Sequence, residues 1–381
     1  MNSQKNPSSS GLRSRPGSML NGLMRLLSIA TIAMFSLEPL HAAQSKAISE
    51  DADQHTRIQF VAFGDSLLDC GTYSPFATIF FGGGKFSTNP TKIFPQLVAE
   101  HYGSSLEPAE LGGFGIPLIP TTGLCYGQGG SRVTLQPGVN HAAEGTRHAD
   151  FALATTVPVA EQIQTYLKVH KRFTSNQIVF LQGGPNDILV NLETAQTAGT
   201  AAAQQAAVAA ITQAAIDLAN LVQTLRANGA TRIVLLDMPD LGVTPDGLAT
   251  ADQGATLTQI SQLFNATLQG TLQQQGLLNQ VILIDLFTFV ENTVKNFKEL
   301  GFQVSNTGTA CDAQAEIARA TQFHLDNPSA FSDSLFCSPK TLTAPNAAQN
   351  FMFADSVHPT THLSQLFAQF TIQQIDASPL K

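Results

Sequence analysis

The sequence predicts an α/β protein: a three-layer sandwich with helices on both faces of a parallel sheet. Two observations carry that expectation. Four short runs rich in Val, Ile, Leu and Phe recur along the chain, each ending at Gly, Pro or Asp, and longer stretches of helical periodicity separate them. Strands that are apolar throughout, rather than alternating, are the kind buried on both faces, and parallel strands need crossovers of helix length. Hydrophobic residues make up 43% of the 381 and charged residues 13%, enough apolar material for a large core.

Taken in order, Ile58 to Phe63 is the first such run, followed by Gly-Asp-Ser. Helical spacing covers Thr91 to Tyr102 and Val159 to His170, and a second strand is read at Gln177 to Leu181. Ala195 to Asn228 is rich in Ala and Gln, yet keeps Val208, Ile211, Ile216, Leu218 and Leu221 as an apolar stripe, which predicts one long surface helix. Strands at Arg232 to Met238 and Val281 to Leu286 alternate with helices at Asp252 to Gln275 and Phe289 to Leu300. The amphipathic stretch Thr361 to Ile375 closes the chain. Ser104 to Pro158 and Gly301 to Phe353 fit neither period and read as long loops, which in compact domains tend to be functional.

Ahead of this domain, Lys5, Arg13, Arg15 and Arg25 precede an apolar run, Leu26 to Leu37, too short to span a bilayer. A small-residue site around Ala42-Ala43 follows, so residues 1–42 read as a signal peptide, with a membrane anchor as the alternative. Residues 43–57 read as a polar arm, and 58–381 as one domain without repeats or linkers. No later stretch reads as long and apolar enough to cross a membrane. Setting aside the leader's four basic residues and one acidic residue turns the formal charge of −8 into about −11. Such a balance disfavours nucleic acid and anionic membrane as standing partners. Export points to a secreted or periplasmic protein.

An even count of four cysteines behind a signal peptide suggests disulfides. Cys311 and Cys337 share one irregular region and form the first candidate pair; Cys70 and Cys125 follow by elimination, with free buried thiols as the alternative. No C-x-x-C pair is present, so no structural zinc is expected.

Four stretches carry residues suited to acyl transfer: Gly64-Asp65-Ser66, Cys125 to Ser131 (CYGQGGS), Gly183 to Asp187 (GGPND) and Asp355 to Pro359 (DSVHP). A serine after a strand can equally be a helix cap. As a nucleophile it needs a base within hydrogen-bond reach, and that base needs a group to fix its tautomer. Asp355 and His358, three residues apart, can supply both from one turn. An oxyanion needs converging donors, and the backbone N–H of Ser66, a glycine N–H and the Asn186 amide are candidates. Asp65, Asp69 and Asp187 read as backbone-capping or structural acids, and His362 as a bystander. Gly82-Gly83-Gly84-Lys85 lacks the spacing and following Ser/Thr of a phosphate loop.

Together and in this order, FGDSLLD, GQGGS, GGPND and DSVHP resemble the four marker blocks of the GDSL or SGNH hydrolases, over about Ile58 to Ile375. FSTNP at Phe86 to Pro90 and MPDLGVTP at Met238 to Pro245 agree, and the chain looks most like the secreted bacterial lipolytic branch, which includes phospholipases and acyltransferases. The resemblance implies a flavodoxin-like α/β/α fold and a serine esterase without cofactor or metal. Ser66 would be the nucleophile, His358 the base and Asp355 its orienting acid. Ser66, Gly130 and Asn186 would form the oxyanion hole, with Gly129 the alternative glycine. Cys125 and Gly127 stand where relatives carry Asn and Ala, and Cys70 where Thr is common. A Cys70–Cys125 bridge would then staple the serine loop to the oxyanion loop.

The implied substrates are lipid esters, phospholipid or lysophospholipid above all, with transient contact at a membrane surface. The alternatives are an acetylesterase acting on glycans, disfavoured by the absence of Trp, and a catalytically silent binding protein. Phe114, Ile116, Leu118 and Ile119 could line an acyl pocket or merely pack their loop. The 311–337 loop could be a lid or a stapled surface excursion.

Overall fold

In the computed structural model, residues 58–139 and 154–380 are described. The expected signal peptide (1–42) and the arm (43–57) lie outside the described residues. Eight strands occur among them: β1 (Gln59–Phe63), β2 (Glu110–Gly113), β3 (Ile116–Pro120), β4 (Gln177–Leu181), β5 (Arg232–Leu236), β6 (Ile282–Ile284), β7 (Val304–Thr309) and β8 (Phe351–Phe353). The helices are α1 (Ser74–Phe80), α2 (Phe94–His101), α3 (Val159–His170), α4 (Pro185–Ala198), α5 (Ala201–Ala227), α6 (Pro245–Ala249), α7 (Ala255–Gln274), α8 (Leu286–Lys295), α9 (Ala313–Gln322), α10 (Ala347–Asn350) and α11 (Thr361–Ala377).

The central sheet runs β1-β4-β5-β6, with every pairing parallel. Outside β1, the Leu124–Tyr126 segment adds an extended edge. Ala62 N–H donates to the Leu124 carbonyl and Tyr126 N–H to the Ala62 carbonyl. Side chains along each strand alternate between two cores. Val61, Phe63, Val179, Leu181, Ile233 and Leu235 face one, packed by α3, α5 and α7 through residues such as Ile163, Leu218 and Phe264. Phe60, Ala62, Ile178, Phe180, Val234 and Leu236 face the other, packed by α2, α8 and α11 through Val98, Val290 and Phe367. The α/β/α expectation is met, because each strand must be apolar on both sides.

The differences are local. The long helix expected over 195–228 is two helices, broken where Gly199 takes a left-handed C-cap and Thr200 caps α5 through its side chain. The first of them, α4, begins at Pro185, so part of a stretch that reads as a turn is helical. The region 301–353 is not one long loop. It holds β7, α9, α10 and β8. Against expectation, one later segment does have the length and composition of a membrane span: α5, because its many alanines raise its hydropathy. Its apolar side, including Ile211, Leu218, Val222 and Leu225, is buried in the first core.

Both expected disulfides are present. Cys70–Cys125 joins the turn after β1 to the edge segment, with 6.2 Å between Cα atoms, and Cys311–Cys337 closes its loop at 5.8 Å. All four strands of the central sheet end at one edge, where β1 delivers Gly64-Asp65-Ser66 and β4 delivers Gly183 to Asn186. In open α/β sheets that edge is where ligands bind.

Candidate active site

Ser66 opens a single 3-10 turn directly after β1. Asp65 caps that turn, its carboxylate accepting from the Leu67 N–H at 3.1 Å. The bend is held from behind by Gln162 of α3, which both accepts from the Gly64 N–H and donates to the Gly64 carbonyl, each at 2.9 Å. Gly64 is crowded: a Cβ would lie 2.8 Å from Leu68 Cδ1 and 3.1 Å from the Gln182 carbonyl, so a side chain would force its neighbours to shift. The serine hydroxyl thus stands clear of the strand while its backbone is fixed.

His358 comes from the opposite end of the chain, in the turn between β8 and α11. Its Nε2 lies 2.7 Å from Ser66 Oγ, and its Nδ1 lies 2.7 Å from Asp355 Oδ2. Asp355 Oδ1 also accepts from the backbone N–H of Val357 (2.9 Å) and His358 (2.7 Å), so one carboxylate shapes the turn and orients the ring. Asp355 Oδ2 takes a further N–H from Ser334 at 2.8 Å. The Phe86 ring packs on the imidazole, with 4.9 Å between centroids.

Electrostatics follow from this crowding. Burial disfavours an imidazolium, but the Asp355 carboxylate, with Asp333 and Asp65 behind it, outweighs burial and raises His358 to about 9. Burial alone would push Asp355 up. The His358 charge and the N–H donors of Ser334 and Val357 prevail and hold it well below the usual carboxylate range. Asp333 is pushed up to about 6 by burial and by the charge of Asp355. Its carboxylate lies within 4.8 Å of both Asp355 and His358.

The donor candidates converge on a cavity of about 220 Å³ lined by Ser66, Gly130, Asn186 and His358. Hydrogen-bond accounting separates the two glycines. The Gly129 N–H is spent on Asp69 Oδ2 at 2.9 Å, whereas the Gly130 N–H meets no acceptor among the described residues. Gly130 adopts φ +81°, and a Cβ there would sit 2.4 Å from the Val139 carbonyl. Asn186, in the first turn of α4, donates one amide hydrogen to the Ser131 carbonyl at 2.8 Å, which fixes its plane and leaves the second hydrogen available.

Several contributors were not legible in the sequence. Arg132 forms a buried ion pair with Asp187 (3.0 Å), tying the GQGGS loop to the start of α4, and Asp187 also accepts from the Val133 N–H. Asn89 of FSTNP donates to the Ser334 carbonyl, and Ser87 donates to the Pro359 carbonyl, so that segment braces both partners of the His358 turn. Asp333 and Ser334 lie inside the Cys311–Cys337 loop, which is therefore part of the site's wall rather than an excursion. The only sequence signal for Asp333 was a short Asp-Ser pair of the kind that caps a turn. Of the four candidate wall residues, only Phe114 lines the cavity; Ile119 is 60% exposed on β3. His362 sits on α11, its Nδ1 2.8 Å from the Gln349 carbonyl, away from Ser66.

The comparisons with known proteins bear on this arrangement. A family model described as GDSL-like Lipase/Acylhydrolase matches residues 60–370. The chain belongs to this family. Its members are hydrolases of ester bonds. The chain is 23% identical to a GDSL esterase/lipase of Arabidopsis thaliana, across 83% of this chain and 88% of that protein. It is also 26% identical to an uncharacterized protein in the trpE-trpG intergenic region of Pseudomonas putida, covering 91% of this chain but only about half (53%) of that relative's length.

Proposed function

We propose that this GDSL family member is an exported serine hydrolase of lipid carboxylic esters, with Ser66 as nucleophile, His358 as general base and Asp355 as the acid that orients it. The observation that carries this reading is the unbroken relay from Ser66 Oγ to His358 Nε2 and from His358 Nδ1 to Asp355 Oδ2, each step 2.7 Å. Neutral His358 accepts the Ser66 proton as Oγ attacks the acyl carbonyl. The ring keeps its proton on Nδ1 and donates it as a hydrogen bond to the Asp355 carboxylate. The tetrahedral oxyanion is met by the N–H groups of Ser66 and Gly130 and the free amide hydrogen of Asn186. Collapse expels the alcohol, which takes the proton from Nε2, and water then releases the acyl group by the same relay in reverse.

Lipid substrates are supported by apolar walls on the same cavity, among them Phe86, Phe114, Val139, Leu189 and Leu241. Export is supported by the two disulfides, which persist in oxidising compartments. Hydrolysis of p-nitrophenyl esters tests the chemistry. Ser66→Ala should lower kcat by at least about 10⁴-fold, and activity that survives the substitution would remove Ser66 from its role.

A further inference from the structure

A second cavity adjoins the first and plays no part in the relay. Leu67, Leu241, Leu286, Val290, Val357 and Leu363 contribute to its lining. Thr244 is the one polar side chain there, and its hydroxyl is already spent. It donates to the Leu241 carbonyl at 2.7 Å and accepts from the Gly247 N–H at 3.1 Å to cap α6. Nothing on the wall therefore holds water strongly, and an apolar cavity of this kind favours apolar guests.

Its position is as telling as its lining. Leu67 directly follows Ser66, and Val357 directly precedes His358. Leu241 and Val357 line both cavities, so those two side chains form the partition between them. The cavity thus takes wall residues from immediately beside each partner of the Ser66–His358 hydrogen bond.

We propose that this cavity is the acyl subsite, holding the first methylenes of the acid half of the ester; this rests on the serine-hydrolase reading above. Its open space is about 50 Å³. Roughly 10–15 Å³ on this scale holds one water-sized group, so the site takes about three to five methylenes. Burying each one is worth about a fourfold gain in rate. The chain-length profile should therefore climb from acetyl to about hexanoyl and then level off.

The experiment measures kcat/KM for p-nitrophenyl esters of increasing acyl length, and in parallel for acetate esters of increasing alcohol length. The unmodified protein should show a climb of about 100-fold or more along the acyl series and little along the alcohol series. Val290→Phe, which fills the cavity, should move the break to shorter acyl chains. Val290→Ala, which enlarges it, should move the break to longer ones and keeps the test open if the larger residue does not fold. A flat acyl profile, a climb along the alcohol series instead, or a break that neither variant moves would overturn the subsite while leaving Ser66-dependent hydrolysis standing. Hydrolysis that persists in Ser66→Ala would overturn both readings.

Discussion

His358 is surrounded by more negative charge than proton relay requires. Asp355 holds the ring directly, while Asp333 and Asp65 add carboxylates within its field. A base must be neutral to accept the serine proton, so charge that favours the imidazolium works against the resting enzyme at neutral pH. The ascending limb of kcat/KM against pH should lie well above the ordinary histidine value of 6.5 and near 9. Asp333→Asn removes a negative charge but keeps an oxygen to cap the Leu335 N–H. The ring then binds its proton less tightly, and the limb moves to lower pH. A profile that stays put or moves to higher pH would show that Asp333 does not act on the ring. Ser66, His358, Asp355 and Asn186 were picked out because four stretches that could each be a turn or a cap alone supply, together and in order, the parts of an acyl-transfer site. Asp333 was not, since its approach to His358 is a product of how the 311–337 loop folds back.

At the scale of elements, the proposed oxyanion donors other than Ser66 sit on two separate pieces of chain that must stay in register. Gly130 is on a loop and Asn186 on α4, and the Arg132–Asp187 pair, with side chains only 7% and 2% exposed, locks the two together. A buried pair is costly to break because the remaining charge keeps one partner fewer. Arg132→Met should therefore destabilise the fold by about 3–5 kcal/mol, read from urea denaturation. A loss below about 1 kcal/mol would mean the pair is not what holds the loop. The four strands of the central sheet were legible because a run that is almost wholly apolar has few other places to go than the centre of a sheet, whereas β2, β3, β7 and β8 lie in stretches that read as loops. The start of α4 was hidden because Gly183, Gly184 and Pro185 are turn residues by composition, and here the proline occupies the first helical position. The break at Gly199 was masked by Ala and Gln on both sides, which continue helical propensity through it.

For the whole molecule, alternation of strand and helix gave the layering, and the order of four short blocks gave the family. The strand order β1-β4-β5-β6 and the flanking Leu124–Tyr126 edge were not readable from the chain, because pairing depends on crossover paths rather than local pattern. Nor was the second cavity, whose walls come from five separate segments: the Ser66 turn, the stretch after β5, α8, the β8–His358 turn and α11. What unites these levels is one chemical requirement, that a serine delivered by the first strand be activated by a histidine delivered just before the last helix. Covalent labelling probes it most directly. A fluorophosphonate that mimics the tetrahedral intermediate should add once per chain, and peptide mapping should place the adduct on Ser66, with none formed in Ser66→Ala. An adduct on another residue, or continued ester hydrolysis by protein that takes up no label, would contradict it.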